Sequence, residues 1–160
     1  MNLATKHLLH LFAVFAVTVV LTTTVASVAG TQVVLAQLDA LGVSVSIADR
    51  INTTWQDLLG LGLFISPVLG FSYGAIIAIG LFIAFISAGI VSHWLPTLRK
   101  IVYTVAASVA IMTILVVSYQ IFEVVLFAFA RTPFGYLSQV GAGAIGGWFF
   151  SVLTAPKGDA

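Results

Sequence analysis

The chain is 160 residues long, with 61% hydrophobic and 7% charged residues and a mean hydropathy of +1.17, whereas a water-soluble domain carries about 25% charge. So short a chain leaves too much surface to hide that apolar content from water, and the composition reads as an integral membrane protein. Six Lys and Arg against five Asp and Glu, with no basic cluster, exclude a nucleic-acid partner, and the lack of cysteine excludes thiol chemistry, thiolate metal sites and disulfides.

A helix needs about 20 apolar residues to cross the ~30 Å hydrocarbon core. Four charge-free stretches meet that need: 8–29, 70–92, 101–122 (with an extension to 130 open) and 133–154. Their residues are apolar all round, not alternating as in a membrane barrel. The expected fold is therefore an all-α, four-transmembrane-helix bundle forming a single membrane domain over 1–160, with a small helical outer segment at 30–69.

The first stretch follows Lys6 and runs 22 residues, longer than the roughly 7–15 apolar residues of a signal peptide, so it reads as an uncleaved anchor despite the small-residue run Ser27-Val28-Ala29. His7 and His10, three apart, share a helix face, and with His93 they offer a conceivable three-histidine site. No further ligand accompanies them, so they read as interfacial histidines and no metal is expected. Thr22, Thr23 and Thr24 can return hydrogen bonds to the preceding turn of their own helix.

The stretch from Val33 to Leu38 can continue the first helix, with Gly42 a plausible stop. Beyond it, Ser46 can cap a helix on which Ile47, Ile51, Trp55 and Leu58 or Leu59 recur at helical spacing, with Asp49, Arg50, Asn52, Thr53, Gln56 and Asp57 mostly elsewhere on the wheel. Such an amphipathic helix lies on lipid, packs on the bundle or docks a partner. Asn52-Thr53-Thr54 matches a glycosylation acceptor, a frequent chance match. Residues 58–92 carry no charge, and unbroken they would extend about 52 Å, beyond the core. Pro67, among Gly60, Gly62 and Gly70, is the natural break, giving a short helix to about Ser66 and a spanning helix after it.

Small residues let helix backbones approach in lipid. The second stretch offers Gly70, Gly74 and Ala78 on one face and Gly80, Ala84 and Ala88 on another. One face can serve the bundle and the other a second subunit, or both can serve one chain. Lys6, Arg99, Lys100 and Lys157 flank one side of the expected spans, against Arg50 and Arg131 on the other. That asymmetry puts both termini in the cytoplasm, in the plasma (inner) membrane. Trp94 and Trp55 suit the inner and outer interfaces.

Residues 101–130 hold one charge, Glu123, and a continuous helix of about 45 Å would tilt or project past the outer face. Glu123 is the sharpest polar feature, because an ionisable group at the middle of a span costs roughly 2.5–3.5 kcal/mol. Tyr119 and Gln120 lie on its helical face, and Arg131 reaches it if the chain folds back near Thr132. It is either an interfacial carboxylate paired for structure or a proton or cation site. The last stretch contains Gly141 to Gly147, GAGAIGG, in which Gly143 and Gly147 form a GxxxG pair and Ala142 and Gly146 a neighbouring one.

No GxSxG, Walker-type loop or HExxH is present, and no span holds two carboxylates. The leading expectation is a non-enzymatic membrane protein without cofactor, surrounded by the lipid bilayer, working as a homo-oligomer or as an accessory subunit beside other membrane subunits. The competing expectation is a small proton or cation channel using Glu123, Tyr119 and Gln120.

Overall fold

The computed structural model describes residues 2–63, 72–123 and 128–155. They form five α-helices: α1 (Leu3–Ala40), α2 (Ile47–Leu63), α3 (Tyr73–Trp94), α4 (Arg99–Phe122) and α5 (Pro133–Leu153), with short 3-10 turns at Pro96–Leu98 and Ala128–Arg131. No strand occurs among the described residues. Segments 5–40, 73–94 and 96–121 are long and apolar enough to cross a membrane. The fourth expected span, α5, is 21 residues long and uncharged, but its five glycines and Gln139 dilute its hydropathy, and it is not among them.

Local chemistry explains the helix ends. The first helix runs on through Val33 to Ala40, and Gly42 takes φ +85° in the turn behind it, a left-handed conformation that glycine adopts at little cost. Ser46 and Asp49 form a reciprocal cap on α2: the Ser46 hydroxyl accepts from the Asp49 N–H at 3.2 Å, while the Asp49 carboxylate accepts from the Ser46 N–H at 3.1 Å and from its hydroxyl at 2.6 Å. Ser72 caps α3 and Thr132 caps α5, the latter helped by Pro133, whose missing N–H costs nothing at the first helical position. The expected break at Pro67 and Gly70 lies outside the described residues. Helix α4 ends at Phe122 and does not continue to 130, because Glu123 turns into the left-handed region at φ 54°.

Helices α1, α3, α4 and α5 pack antiparallel in up-and-down order. At one end His10 lies 3.4 Å from the Leu153 carbonyl, and Arg99 caps the end of α5, donating to the Ser151 carbonyl, to the Thr154 carbonyl at 3.0 Å and to its hydroxyl at 2.7 Å. At the other end α2 folds back along the outer half of α1. The core joins Ile77, Leu81 and Phe85 of α3 to Tyr103, Ala107 and Ile111 of α4 and to Ala142 and Phe150 of α5.

The glycines of α5 set how closely it meets two neighbours. A Cβ on Gly143 would lie 2.7 Å from the Ala107 carbonyl oxygen, and one on Gly147 would strike the Tyr103 carbonyl, both on α4. One on Gly146 would strike the Thr22 hydroxyl of α1. The two small-residue pairs of α5 therefore serve contacts within the chain. On α3, Gly74 and Ala88 are buried, Ala78 is half-buried, and Gly80 receives the Ile114 side chain.

Candidate functional site

Among the described residues, charge is confined to the two ends of the bundle. Lys6, Arg99 and Lys100 lie at one end, and Asp39, Asp49, Arg50, Asp57, Glu123 and Arg131 at the other. On α1 the interval from His10, level with the end of α5, to Thr31, level with Asp57, rises roughly 30 Å.

Within that interval the buried polar atoms form a seam along α1. Thr18, Thr22, Thr23, Ser27 and Thr31 are all buried. The Thr18 and Thr22 hydroxyls each donate at 2.8 Å to the carbonyl four residues back, the ordinary way a helix hides a hydroxyl. Thr23 and Ser27, one turn apart on the same face, have buried hydroxyls without a hydrogen-bond partner among the described residues. Opposite the seam, the wholly buried Gln139 of α5 donates through Nε2 to the Ala26 carbonyl at 2.9 Å and accepts at Oε1 from the Tyr73 hydroxyl at 3.1 Å. One amide thus joins three helices, and its polar atoms are matched where an unmatched group is costly.

The seam runs from Thr31, beside α2, to a cluster of aromatic rings. Outward, the Thr31 hydroxyl lies 2.8 Å from Asp57 Oδ2 and 3.0 Å from the Ser27 carbonyl, its one proton shared between them. Gln32 donates to the Thr54 hydroxyl at 3.0 Å, and Arg50 lies 3.4 Å from Gln32 Oε1 and 3.8 Å from Asp39. Inward, the seam meets aromatic rings: Phe85 stacks on Phe150 with centroids 4.2 Å apart, and Tyr103 and Phe15 pack against them at 5.4 and 6.2 Å. Chemically the seam is neutral. A hydroxyl nucleophile needs a base within hydrogen-bond reach; the Thr18 and Thr22 hydroxyls donate to backbone carbonyls, and Thr31, at the end of the seam, lies beside the Asp57 carboxylate.

Glu123, Tyr119, Gln120 and Arg131 are all exposed near the outer end of α4 and the start of α5. No side-chain hydrogen bond or ion pair joins them among the described residues; Glu123 meets Tyr119 only through its backbone N–H, at 2.9 Å from the Tyr119 carbonyl. The packing residues Gly74, Ala78, Gly143 and Gly147 lie in the bundle, whereas Gly70 lies outside the described residues. His7, His10 and His93 are exposed at the other end, and no group of three metal-ligating side chains occurs among the described residues. Sequence reasoning missed Gln139; the signal was there, since it is the sole amide in an uncharged stretch of membrane-spanning length.

Two open surfaces complete the description. A groove of about 640 Å³ runs between α3 and α4, floored by Gly80, Ala84, Ala106 and Ala110 and walled by Ile83 and Val117. On α2 the polar residues Arg50, Thr54 and Asp57 face α1, while Ile47, Ile51 and Trp55 are 78%, 68% and 59% exposed. No protein-family model, curated protein or solved structure matches this chain.

Proposed function

We propose that the chain is a four-span integral membrane protein, without catalytic activity, that serves as a subunit of a larger membrane assembly. The roughly 30 Å between the two belts of charge supports spans by α1, α3, α4 and α5. The Lys and Arg asymmetry supports cytoplasmic termini in the plasma membrane.

The observation that carries the subunit reading is the groove between α3 and α4. The small-residue pairs of α5 are used up inside the chain, but Ala84, Ala106 and Ala110 line an open apolar trough within the uncharged interval. Its hydroxyls are already matched, Ser87, Thr113 and Ser118 each donating to the carbonyl four residues back. Such a trough, poor in polar demands and floored by small residues, accepts a helix from another membrane subunit, a second copy included. The channel reading has less support, because the polar seam of a single chain stops at the Phe85 and Phe150 stack and Glu123 stands apart from it.

The test is the mass of the purified protein in detergent and in nanodiscs, with Ala110→Phe as the groove-filling variant. We expect an assembly larger than one chain that Ala110→Phe reduces to a monomer. A wild-type monomer in native-lipid particles, with no co-purifying stoichiometric subunit, overturns the reading.

A further inference from the structure

Where α2 folds back on α1, Gln32, Arg50, Ile51, Thr54, Trp55 and Leu58 enclose a pocket of about 420 Å³. Its base is polar and its wall apolar. The base is internally matched: Gln32 donates to Thr54, and Thr54 in turn donates to the Arg50 carbonyl at 2.7 Å. Among the described residues the guanidinium is not saturated. It carries five N–H donors, and its contacts are one hydrogen bond at 3.4 Å to Gln32 and a loose approach of 3.8 Å to Asp39, whose side chain is itself 59% exposed.

The pocket presents Arg50 next to Trp55 and Leu58, and just beyond its lining the exposed Asp39 carboxylate lies 3.8 Å from the guanidinium, at the level where the uncharged interval ends. A free anion leaves the apolar wall wet and meets the Asp39 carboxylate beside Arg50. A purely anionic lipid meets the same repulsion. A headgroup with its own adjacent phosphate and ammonium matches the pair charge for charge, its phosphate on Arg50 and its ammonium on Asp39, while its acyl chain lies along Trp55 and Leu58 toward the hydrocarbon. A primary ammonium fits best, because it donates hydrogen bonds to a carboxylate and a quaternary one does not.

We propose that this pocket binds one zwitterionic amino-phospholipid of the outer leaflet, with Arg50 and Asp39 as the headgroup-reading pair. The inference rests on the membrane reading above. It deepens that reading by assigning a lipid class to the outer end.

The experiment is native mass spectrometry of the full-length protein released from nanodiscs made with phosphatidylethanolamine, phosphatidylcholine or phosphatidylglycerol. One phosphatidylethanolamine is expected to stay bound, favoured over phosphatidylglycerol by about fivefold, the factor that an interfacial ion pair of about 1 kcal/mol carries. Arg50→Gln should lose the bound lipid. Because Arg50 also helps dock α2, Trp55→Ala is run beside it, which removes the apolar wall and leaves the Gln32, Arg50 and Asp39 contacts in place; it too should weaken retention. Asp39→Asn should erase the preference over phosphatidylglycerol, a change that loosened packing does not produce.

Retention indifferent to all three substitutions, or a preference for phosphatidylglycerol in the wild type, overturns the proposal. Displacement by soluble phosphoethanolamine at equal effectiveness overturns the lipid source. A protein recovered from the aqueous phase without detergent overturns the membrane reading itself, whereas an embedded protein with no bound lipid overturns this inference alone.

Discussion

Glu123 shows how one backbone angle changes the meaning of a side chain. In a continuous helix its carboxylate shares a face with Tyr119 and Gln120, but at φ 54° it caps α4 and is exposed. A left-handed residue with a Cβ costs about 1–2 kcal/mol that glycine does not incur. Glu123→Gly should therefore raise thermal stability in detergent by about 1 kcal/mol, and Glu123→Gln should leave it unchanged. A marked loss with Gln would show the charge itself holding the fold, and the Gln variant in a proteoliposome flux assay addresses any ion pathway through this residue. Deeper in the bundle, Thr23 and Ser27 hide hydroxyls without partners. Removing an unmatched buried polar group is neutral or stabilising, so Thr23→Val and Ser27→Ala should melt at or above the wild-type temperature. Gln139→Leu removes both bonds of a matched amide and should lower stability by about 1 kcal/mol, the scale of hydrogen bonds between membrane helices.

Among the elements, α5 and α2 make contrasting cases. Gly141 of α5 has open space where a Cβ would stand, whereas Gly143 and Gly147 face backbone carbonyls of α4. Gly141→Ala should stabilise by about 0.5–1 kcal/mol through helix propensity, while Gly143→Leu and Gly147→Leu should disrupt packing far more than Ala155→Leu, as melting temperatures of the four variants will report. Helix α2 depends on its cap. The Ser46 hydroxyl, and then the Ser46 N–H, hold the Asp49 carboxyl below the usual carboxylate range. A depressed pKa contributes stability that is full above the unfolded value of about 3.9 and is lost as pH falls through the folded value. Protection of the first turn of α2 against hydrogen exchange, relative to the intrinsic rate at each pH, should therefore fall below about pH 4, and Asp49→Asn should flatten that response. Ser46 announced this cap in the sequence, while the part of Asp49 in it emerges from the structure. The orientation of the helix was not announced, because a helical wheel shows which residues share a face and not which face is covered: here Arg50, Thr54 and Asp57 turn inward and Ile47 and Ile51 outward.

For the molecule as a whole, the long uncharged runs bounded by Lys, Arg, Pro and Gly made the helices legible. The runs beginning at residues 101 and 133 end within a residue or two of α4 and α5, because Glu123 and Thr132 punctuate the chain between them. The seam was only half legible. Thr22 to Thr24 stood out as a run, yet which hydroxyl is buried depends on α5 and α2 arriving from far along the chain, and Gln139 meets Ala26 across 113 positions. The antiparallel order brings the start of α1, the α3 to α4 connection and the end of α5 to one end. Reporter fusions at the C-terminus and near Asp49 should accordingly report opposite sides of the membrane, and a shared side would reverse the proposed topology.

The composition of α5 also bears on how the protein is made. Its glycines and Gln139 leave it less apolar than the spanning-length segments of α1, α3 and α4, yet it is the element that covers the Thr22 and Ala26 face of α1 and the Tyr103 and Ala107 backbone of α4. While the ribosome is still completing α5, the seam of α1 has no cover and Arg99 has no carbonyls to cap. On the proposed membrane reading, insertion of α5 is then less a partition into lipid than a docking into a waiting slot, and a nascent chain stopped near residue 132 would present the quality-control proteases of the membrane with an open, hydroxyl-lined wound.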